Sequence, residues 1–111
     1  MKRSLLATIS AATLIAGSIF AAAPASALQT SVGGGGVCSV NVGAPSNGAT
    51  SSRGTCSQSR SYVEYRDSGG TLRGVAGSWG TSSAAYGTTT MVTSRQVRAY
   101  YNGGYSNWIG Y

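Results

Sequence analysis

The chain contains no histidine, and beyond residue 27 it contains neither lysine nor phenylalanine. Its only acidic residues are Glu64 and Asp67. Residues 28–111 therefore cannot assemble a Ser-His-Asp, Cys-His or Ser-Lys nucleophilic site. Glycoside hydrolysis needs two carboxyl groups flanking a sugar, whereas we expect Glu64 and Asp67 to be solvated or paired with Arg66 and Arg73. The sequence predicts a protein without catalytic residues, not an enzyme.

The same scarcity disfavours metal sites. Two cysteines and two carboxylates supply neither a four-ligand zinc site nor an oxygen-rich calcium loop, so we expect no metal and no cofactor. Beyond residue 27, no segment places apolar residues at helical spacing over two turns. We therefore expect no stable membrane insertion of this part of the chain.

Residues 1–27 have the pattern of a secretory signal peptide. Met1-Lys2-Arg3 is a positive start, residues 5–23 are apolar or small, and Pro24-Ala25-Ser26-Ala27 resembles a cleavage site. We expect cleavage after Ala27 and secretion into the extracellular space. An uncleaved membrane anchor is the alternative, although several serines and threonines dilute the apolar run.

The 84 residues after this cleavage site are basic and poor in large aliphatic side chains. Six arginines against two carboxylates give them a formal charge of +4. A domain of this size with so few aliphatic residues has a thin core. Cys38 and Cys56 are the expected remedy, because an exported chain meets oxidising conditions, and the alternatives are free thiols or an intermolecular bridge. Their disulfide would contribute about 3 kcal/mol.

The first part of the expected mature chain reads as an arm followed by a strand and a loop. Residues 28–36 (LQTSVGGGG) predict a flexible glycine-rich arm, and residues 37–111 predict one small β domain. Residues 37–42 alternate like a strand, with Cys38, Val40 and Val42 on one side. Residues 43–55 are small, polar or turn-forming, which predicts a loop pinned by the disulfide.

The second part contains the stronger strand patterns. Residues 61–76 predict a β-hairpin that turns at Asp67-Ser68-Gly69-Gly70, with Val63 and Tyr65 facing inward. Residues 77–87 predict an irregular segment. Residues 88–102 predict the longest strand, and residues 105–111 could pair back on it. In one regular strand, Cys56 and Val63 would point to opposite faces, so either a bulge or a break separates them.

These patterns together predict an all-β fold. We expect a small antiparallel sandwich or barrel of five to six strands, with one disulfide and preceded by the signal peptide. On the longest strand, alternation assigns Val97, Ala99 and Tyr101 to the core and Arg98 with Tyr100 to the outer face.

The aromatic residues favour a binding function. Beyond residue 27 every aromatic is a tyrosine or a tryptophan, types that combine apolar area with hydrogen bonding. If the two alternating strands are neighbours, they would form an arginine–tyrosine patch. The candidate ligand-binding residues are Arg60, Tyr62, Arg66, Arg98 and Tyr100. The alternative is that Tyr65, Tyr101, Trp79 and Trp108 fill the core and that the arginines only keep the surface soluble. Because large aliphatic residues are scarce, we also expect Trp108 and Ile109 to fold back as a cover of the core.

Charge and compartment indicate the partners. A basic exported protein meets cell-envelope polymers, such as teichoic acids and acidic polysaccharides, or an extracellular protein. Nucleic acid is disfavoured, because six scattered arginines are a weak electrostatic footprint. An inhibitor of a secreted hydrolase is an alternative, in which the 43–55 loop would be a rigid insert. The sequence leaves the oligomeric state open.

One family resemblance adds a further alternative. Ser82-Ser83-Ala84-Ala85-Tyr86 and Ala99-Tyr100-Tyr101, within a short basic chain behind a signal peptide, resemble exported bacteriocins of the lactococcin 972 type. The chain departs from that family by lacking histidine and by carrying Cys38 and Cys56. The resemblance implies an antimicrobial protein that acts on the envelopes of competing bacteria.

Overall fold

The computed structural model describes residues 26–34 and 36–111, so the predicted signal peptide lies outside the described residues apart from Ser26 and Ala27. The described part contains nine β-strands and no helix, and hence no helix that could cross a membrane. The strands are β1 (Ser26–Val32), β2 (Gly36–Gly43), β3 (Gly48–Ser52), β4 (Gln58–Arg66), β5 (Leu72–Ala76), β6 (Ser82–Tyr86), β7 (Val92–Tyr101), β8 (Gly104–Tyr105) and β9 (Ile109–Gly110).

The strands form two antiparallel sheets that pack face to face. Sheet A has the order β1-β2-β3-β6. Sheet B has the order β9-β7-β4-β5, and β8 also pairs with β7. The predicted all-β antiparallel sandwich with one disulfide is therefore confirmed. Nine strands exceed the predicted five to six in part because β8 and β9 are only two residues each.

The segment predicted as a flexible arm instead contributes a strand. Residues 28–32 belong to β1, which pairs with β2 along its whole length, with Leu28 opposite Val40 and Thr30 opposite Cys38. Thr30 and Val32 are buried and Leu28 packs against the core. Burial of alternating side chains therefore stabilises β1 although glycines follow it. The turn between the two strands uses these glycines, and Gly34 has a positive φ of 75° there.

The segment predicted as the 43–55 loop contains an interior strand. β3 lies between β2 and β6, and its Ala49 and Ser51 are buried. A Cβ atom at Gly48 would collide with the carbonyl oxygen of Ala85, so this pairing needs a residue without a side chain. Residues 48–52 are therefore part of an interior strand and not of the loop predicted for residues 43–55.

The irregular segment predicted for residues 77–87 also contains a strand. β6 pairs with β3 through residues 82–86, and its Ser83 and Ala85 are buried. Serine and alanine have a weak hydrophobic signal, so their alternation does not stand out in the sequence. Their small side chains instead allow the two sheets to approach closely.

Aliphatic residues and the disulfide form the core between the sheets. One cluster joins residues of both sheets, namely Val32, Cys38, Val40, Val42, Cys56, Val97 and Ala99. A second cluster contains Ala49, Val63, Tyr65 and Ala85. The predicted bridge between Cys38 and Cys56 is present, with a Cα–Cα distance of 5.1 Å. The parity mismatch after Cys56 is explained by a break, because the Cys56 amide donates to Arg53 O in a turn before β4 begins.

Buried serines link the sheets where the aliphatic core is thin. Ser59 and Ser61 on β4 are fully buried, and Ser51 and Ser83 on sheet A are nearly so. The Ser61 hydroxyl oxygen lies 2.9 Å from Ser51 Oγ and 3.1 Å from Ser83 O, either of which can accept its one proton, and the Ser61 amide donates to Ser83 Oγ at 3.0 Å. Ser51 and Ser59 hydroxyls also lie 2.9 Å apart. Buried polar groups thus satisfy one another across the sandwich.

The hairpin predicted for residues 61–76 is confirmed as β4 and β5, with Val63 and Tyr65 buried. In its turn, Asp67 Oδ1 accepts hydrogen bonds from the amides of Gly69 and Thr71. Arg73 Nε donates to Asp67 Oδ2 at 2.9 Å, as expected for this pair. The hydrogen bond from Arg73, followed by that from the Thr71 amide, lowers the pKa of Asp67 below its ordinary value.

The C-terminal residues close the sandwich. β8 and β9 both pair with β7, as expected for residues that turn back. Ile109 and Tyr111 pack against the core, and the Tyr111 hydroxyl contacts Gly43 O at 3.0 Å and Thr50 O at 3.2 Å. Burial raises the pKa of Tyr111. The last residue of the chain thus joins sheet B to sheet A.

Candidate binding surface

The outer face of sheet B brings together four of the five predicted ligand-binding residues. Strands β4 and β7 are neighbours, with Arg60 opposite Arg98, Gln58 opposite Tyr100 and Tyr62 opposite Gln96. Because side chains alternate along each strand, the outer face carries Arg60, Tyr62, Arg98 and Tyr100, while Val63, Val97 and Ala99 are buried beneath it. The arginine–tyrosine patch requires that these two strands are neighbours, a condition that the sequence pattern alone did not establish.

Arg66 is the predicted residue that lies apart from the others. It ends β4 at the hairpin, eight positions from Gln58, the residue that lies opposite Tyr100. Its Nη1 donates to Gly70 O at 3.1 Å, so it stabilises the turn next to Asp67. We therefore leave Arg66 out of the surface described below.

The guanidinium groups of Arg60 and Arg98 are each oriented by a hydrogen bond to the backbone. Arg60 Nε donates to Gly77 O at 2.7 Å, and Arg98 Nε donates to Ser106 O at 2.8 Å. The Arg98 guanidinium carbon also lies 5.2 Å from the centroid of the Tyr105 ring, a cation–π distance. Each bond uses one of the several N–H donors of a planar group that suits carboxylates and phosphates. The backbone thus orients each of the two cationic groups before any ligand binds.

Aromatic rings flank the arginine pair on both sides. Tyr62 contacts Trp108 with ring centroids 5.7 Å apart. Tyr105 contacts Trp79 at 5.4 Å and Tyr100 at 4.8 Å. We call the outer surface formed by Arg60, Arg98 and these five rings the aromatic face.

Trp108 was predicted to cover the core, and the alternative interpretation placed both tryptophans of this face inside it. Trp108 instead is 37% exposed, and Trp79 is half-buried against Tyr105. Ser106, in the turn before β9, is buried, and its hydroxyl oxygen accepts a hydrogen bond from the Ala99 amide at 2.9 Å. Ile109 packs inward, which leaves the intervening Trp108 on the outer surface beside Tyr62. The prediction that Ile109 covers the core is confirmed, and the same prediction for Trp108 is wrong.

An open pocket of about 400 Å³ lies at one end of the aromatic face. Its lining residues are Arg60, Tyr62, Glu64, Ala76, Gln96 and Trp108. The Tyr62 hydroxyl donates to Glu64 Oε2 at 3.1 Å. Burial, and then the bond to Glu64, raise the pKa of Tyr62. The position of the Tyr62 side chain in this pocket depends on Gly74 of β5, because a Cβ atom there would collide with the Tyr62 hydroxyl.

Charge is distributed unequally between the two sheets. Within the described residues, the strands of sheet A carry no charged side chain. The charged side chains lie on sheet B or in its β4–β5 turn, except Arg53, which lies in the turn before β4. Arg95 has a structural role, because its Nε donates to Gly48 O and its Nη2 to Pro45 O. The aromatic face is therefore the part of the surface best suited to an anion.

The described residues contain no group of three or more His, Cys, Asp or Glu side chains that could hold a metal ion. The surface therefore offers hydrogen bonds, cationic groups and aromatic rings to a ligand. Comparisons with protein-family models, with curated proteins and with solved structures find no match. The similarity to lactococcin 972 bacteriocins thus remains a resemblance in two short segments.

Proposed function

We propose that this chain is a small secreted protein without enzymatic activity, which binds anionic polymers of the cell envelope or other extracellular material through its aromatic face. The observation that carries the proposal is the position of Arg60 directly opposite Arg98, between two groups of aromatic rings. The disulfide between Cys38 and Cys56 fits an oxidising, extracellular environment.

The electrostatics of the arginine pair support an anionic ligand. Like charges at directly opposite positions of neighbouring strands repel each other, at a cost of about 0.2–1 kcal/mol. A carboxylate or phosphate bound to either guanidinium group offsets that repulsion through charge-assisted hydrogen bonds. A polymer with regularly spaced anionic groups can place further units over the neighbouring rings.

The aromatic rings support a ligand with apolar as well as charged parts. Tyrosine, tryptophan and arginine are the residue types enriched at recognition surfaces, because they give large contact area at small entropic cost. The exposed Trp108 and Tyr105 lie on either side of the arginine pair. A purely charge-driven surface would not need these rings.

Binding of the oxidised protein to a soluble acidic wall polymer, measured by calorimetry at low and high salt, tests the proposal. We expect binding that weakens as salt rises, and no binding to uncharged dextran. The double variant Arg60→Gln/Arg98→Gln should lose affinity by about tenfold or more, equivalent to about 1.4 kcal/mol. The matched control Arg53→Gln/Arg66→Gln removes the same charge away from the aromatic face and should lose much less. Equal losses in the two double variants would overturn the proposal.

A further inference from the structure

We propose that the pocket at the end of the aromatic face binds one sugar ring of an acidic polysaccharide. The inference rests on the proposed function and adds to it the chemical class of the polymer. Its basis is the combination of Trp108, Tyr62, Glu64 and Gln96 around one cavity beside Arg60.

The aromatic part of the pocket suits the C–H surface of a pyranose. The Tyr62 and Trp108 rings are in contact, with centroids 5.7 Å apart and planes inclined at 56°. Rings this close and this inclined cannot hold a flat nucleobase between them. Their exposed faces instead form a corner, and the electron-rich face of an aromatic ring attracts the weakly positive C–H groups on one side of a sugar.

The polar part of the pocket suits hydroxyl groups. Glu64 and Gln96 are half-buried side chains on neighbouring strands, and both line the same cavity as the rings. A carboxylate accepts hydrogen bonds and an amide both donates and accepts them. Sugar hydroxyls do both as well, so the pair can orient one ring. The cavity of about 400 Å³ lies within the range of about 300–1,000 Å³ that is typical of small-molecule sites.

The charged side chains around the pocket favour one orientation of the ligand. Arg60, which lies opposite Arg98 in the strand register, lines the pocket, and Glu64 lines it four positions further along β4. An anionic substituent is attracted toward the arginines and repelled by Glu64, so the hydroxyl groups face Glu64. A polyanion without hydroxyl groups offers the pocket fewer hydrogen-bond donors and is repelled by Glu64. Glu64 therefore selects acidic sugars over other anions.

The experiment compares an oligoglucuronate with an oligo-L-glutamate of equal chain length, both binding to the oxidised protein at the same salt concentration. We expect the oligoglucuronate to bind about tenfold more tightly or better. The Trp108→Ala variant should lose this preference but keep salt-dependent binding of both polymers. The control Tyr86→Ala, which removes an exposed aromatic ring from sheet A, should keep the preference.

The outcomes separate the two proposals. Equal affinity of the wild-type protein for both oligomers would overturn the sugar site and leave the proposed function standing. Absence of binding to either oligomer at low salt would overturn both. If Trp108→Ala fails to fold, NMR of the wild-type protein decides: the Trp108 indole N–H signal should shift with the oligoglucuronate and not with the oligo-L-glutamate. An unchanged Trp108 signal in both titrations would contradict the sugar site.

Discussion

Arg60 on β4 and Arg98 on β7 occupy directly opposite positions, and each is bound through Nε to a backbone carbonyl oxygen, that of Gly77 and of Ser106 respectively. Among the residues that the structure describes, the ion pair joins Arg73 to Asp67, and neither Arg60 nor Arg98 is paired with a carboxylate. The fold therefore places two like-charged residues at opposite positions of neighbouring strands and binds each side chain to the backbone. This pair links the stability of the protein to its proposed function.

We predict that salt stabilises the folded protein by screening the arginine pair. The melting temperature should rise between about 10 mM and about 300 mM NaCl, because screening lengths fall well below the dimensions of the domain. Arg98→Gln should reduce this rise, whereas Arg53→Gln, which removes the same charge, should retain it. An identical salt dependence in the two variants would show that the pair is not the cause.

We predict that the buried serine network is essential to stability. Ser61→Ala removes the hydroxyl that lies within hydrogen-bond distance of Ser51 Oγ and Ser83 O, and should lower the free energy of unfolding by about 1–3 kcal/mol. Ser82→Ala, at an exposed position on β6, should change it by less than about 0.5 kcal/mol. Urea unfolding measures both. Equal effects of the two substitutions would contradict a specific role of Ser61.

We predict that reduction of the Cys38–Cys56 disulfide lowers the melting temperature clearly. The bridge joins residues 18 positions apart, and opening a loop of that length should cost about 3 kcal/mol. Calorimetry with and without reductant, and of the Cys38→Ala/Cys56→Ala variant, measures the effect. An unchanged melt in a sample whose thiols are shown to be alkylated would contradict this prediction.

We predict that the C-terminal tyrosine contributes through its hydroxyl. Tyr111→Phe keeps the ring in the core but removes the contacts to Gly43 O and Thr50 O, which should cost about 1 kcal/mol. Tyr86→Phe on the exposed face of sheet A is the control. Deletion of residues 105–111 should cost more, since it also removes β9, Ile109 and the tyrosine ring. A truncated protein that melts unchanged would show that the C-terminal residues are dispensable.

We predict a small acid destabilisation that originates in the β4–β5 turn. The pKa of Asp67 is lower in the folded than in the unfolded protein, so its contribution is present above the ordinary value of about 3.8 and is lost as pH falls through the folded pKa. Melting temperatures measured from pH 6 down to about pH 2 should fall more for the wild type than for Asp67→Asn. The effect is small because the pair is exposed. Parallel curves for the two proteins would exclude Asp67 as the cause.

The outcomes of the sequence predictions follow from side-chain size. Strands with large alternating residues, such as Val63 with Tyr65 and Val97 with Ala99, were predicted with their inward faces correct. Strands β3 and β6 were missed, because serine, alanine and glycine carry little hydrophobic signal, although in this fold they form the close contact between the sheets. β1 was missed for a different reason, since four glycines follow it directly in the sequence.

The candidate surface was predicted in part. Alternation along one strand placed Arg98 and Tyr100 on the outer face, and along another it placed Arg60 and Tyr62 there, but alternation is a local property and does not say which strands are neighbours. The pocket additionally needs Trp108, whose outward position depends on the buried Ser106 and the pairing of β9 with β7. No pattern of period two extends through that short turn.

The sequence by itself determined the all-β class, the position of the thiols that form the single disulfide and the faces of its longest strands, because these depend on composition and local periodicity. It also excluded histidine- and lysine-dependent catalysis from residues 28–111. Only the tertiary structure decided that β4 lies beside β7, which places Arg60 opposite Arg98, and that Trp108 lies outside the core. Strand order depends on contacts between residues far apart in the chain, and these contacts reflect how well whole faces pack, which no short stretch of sequence records.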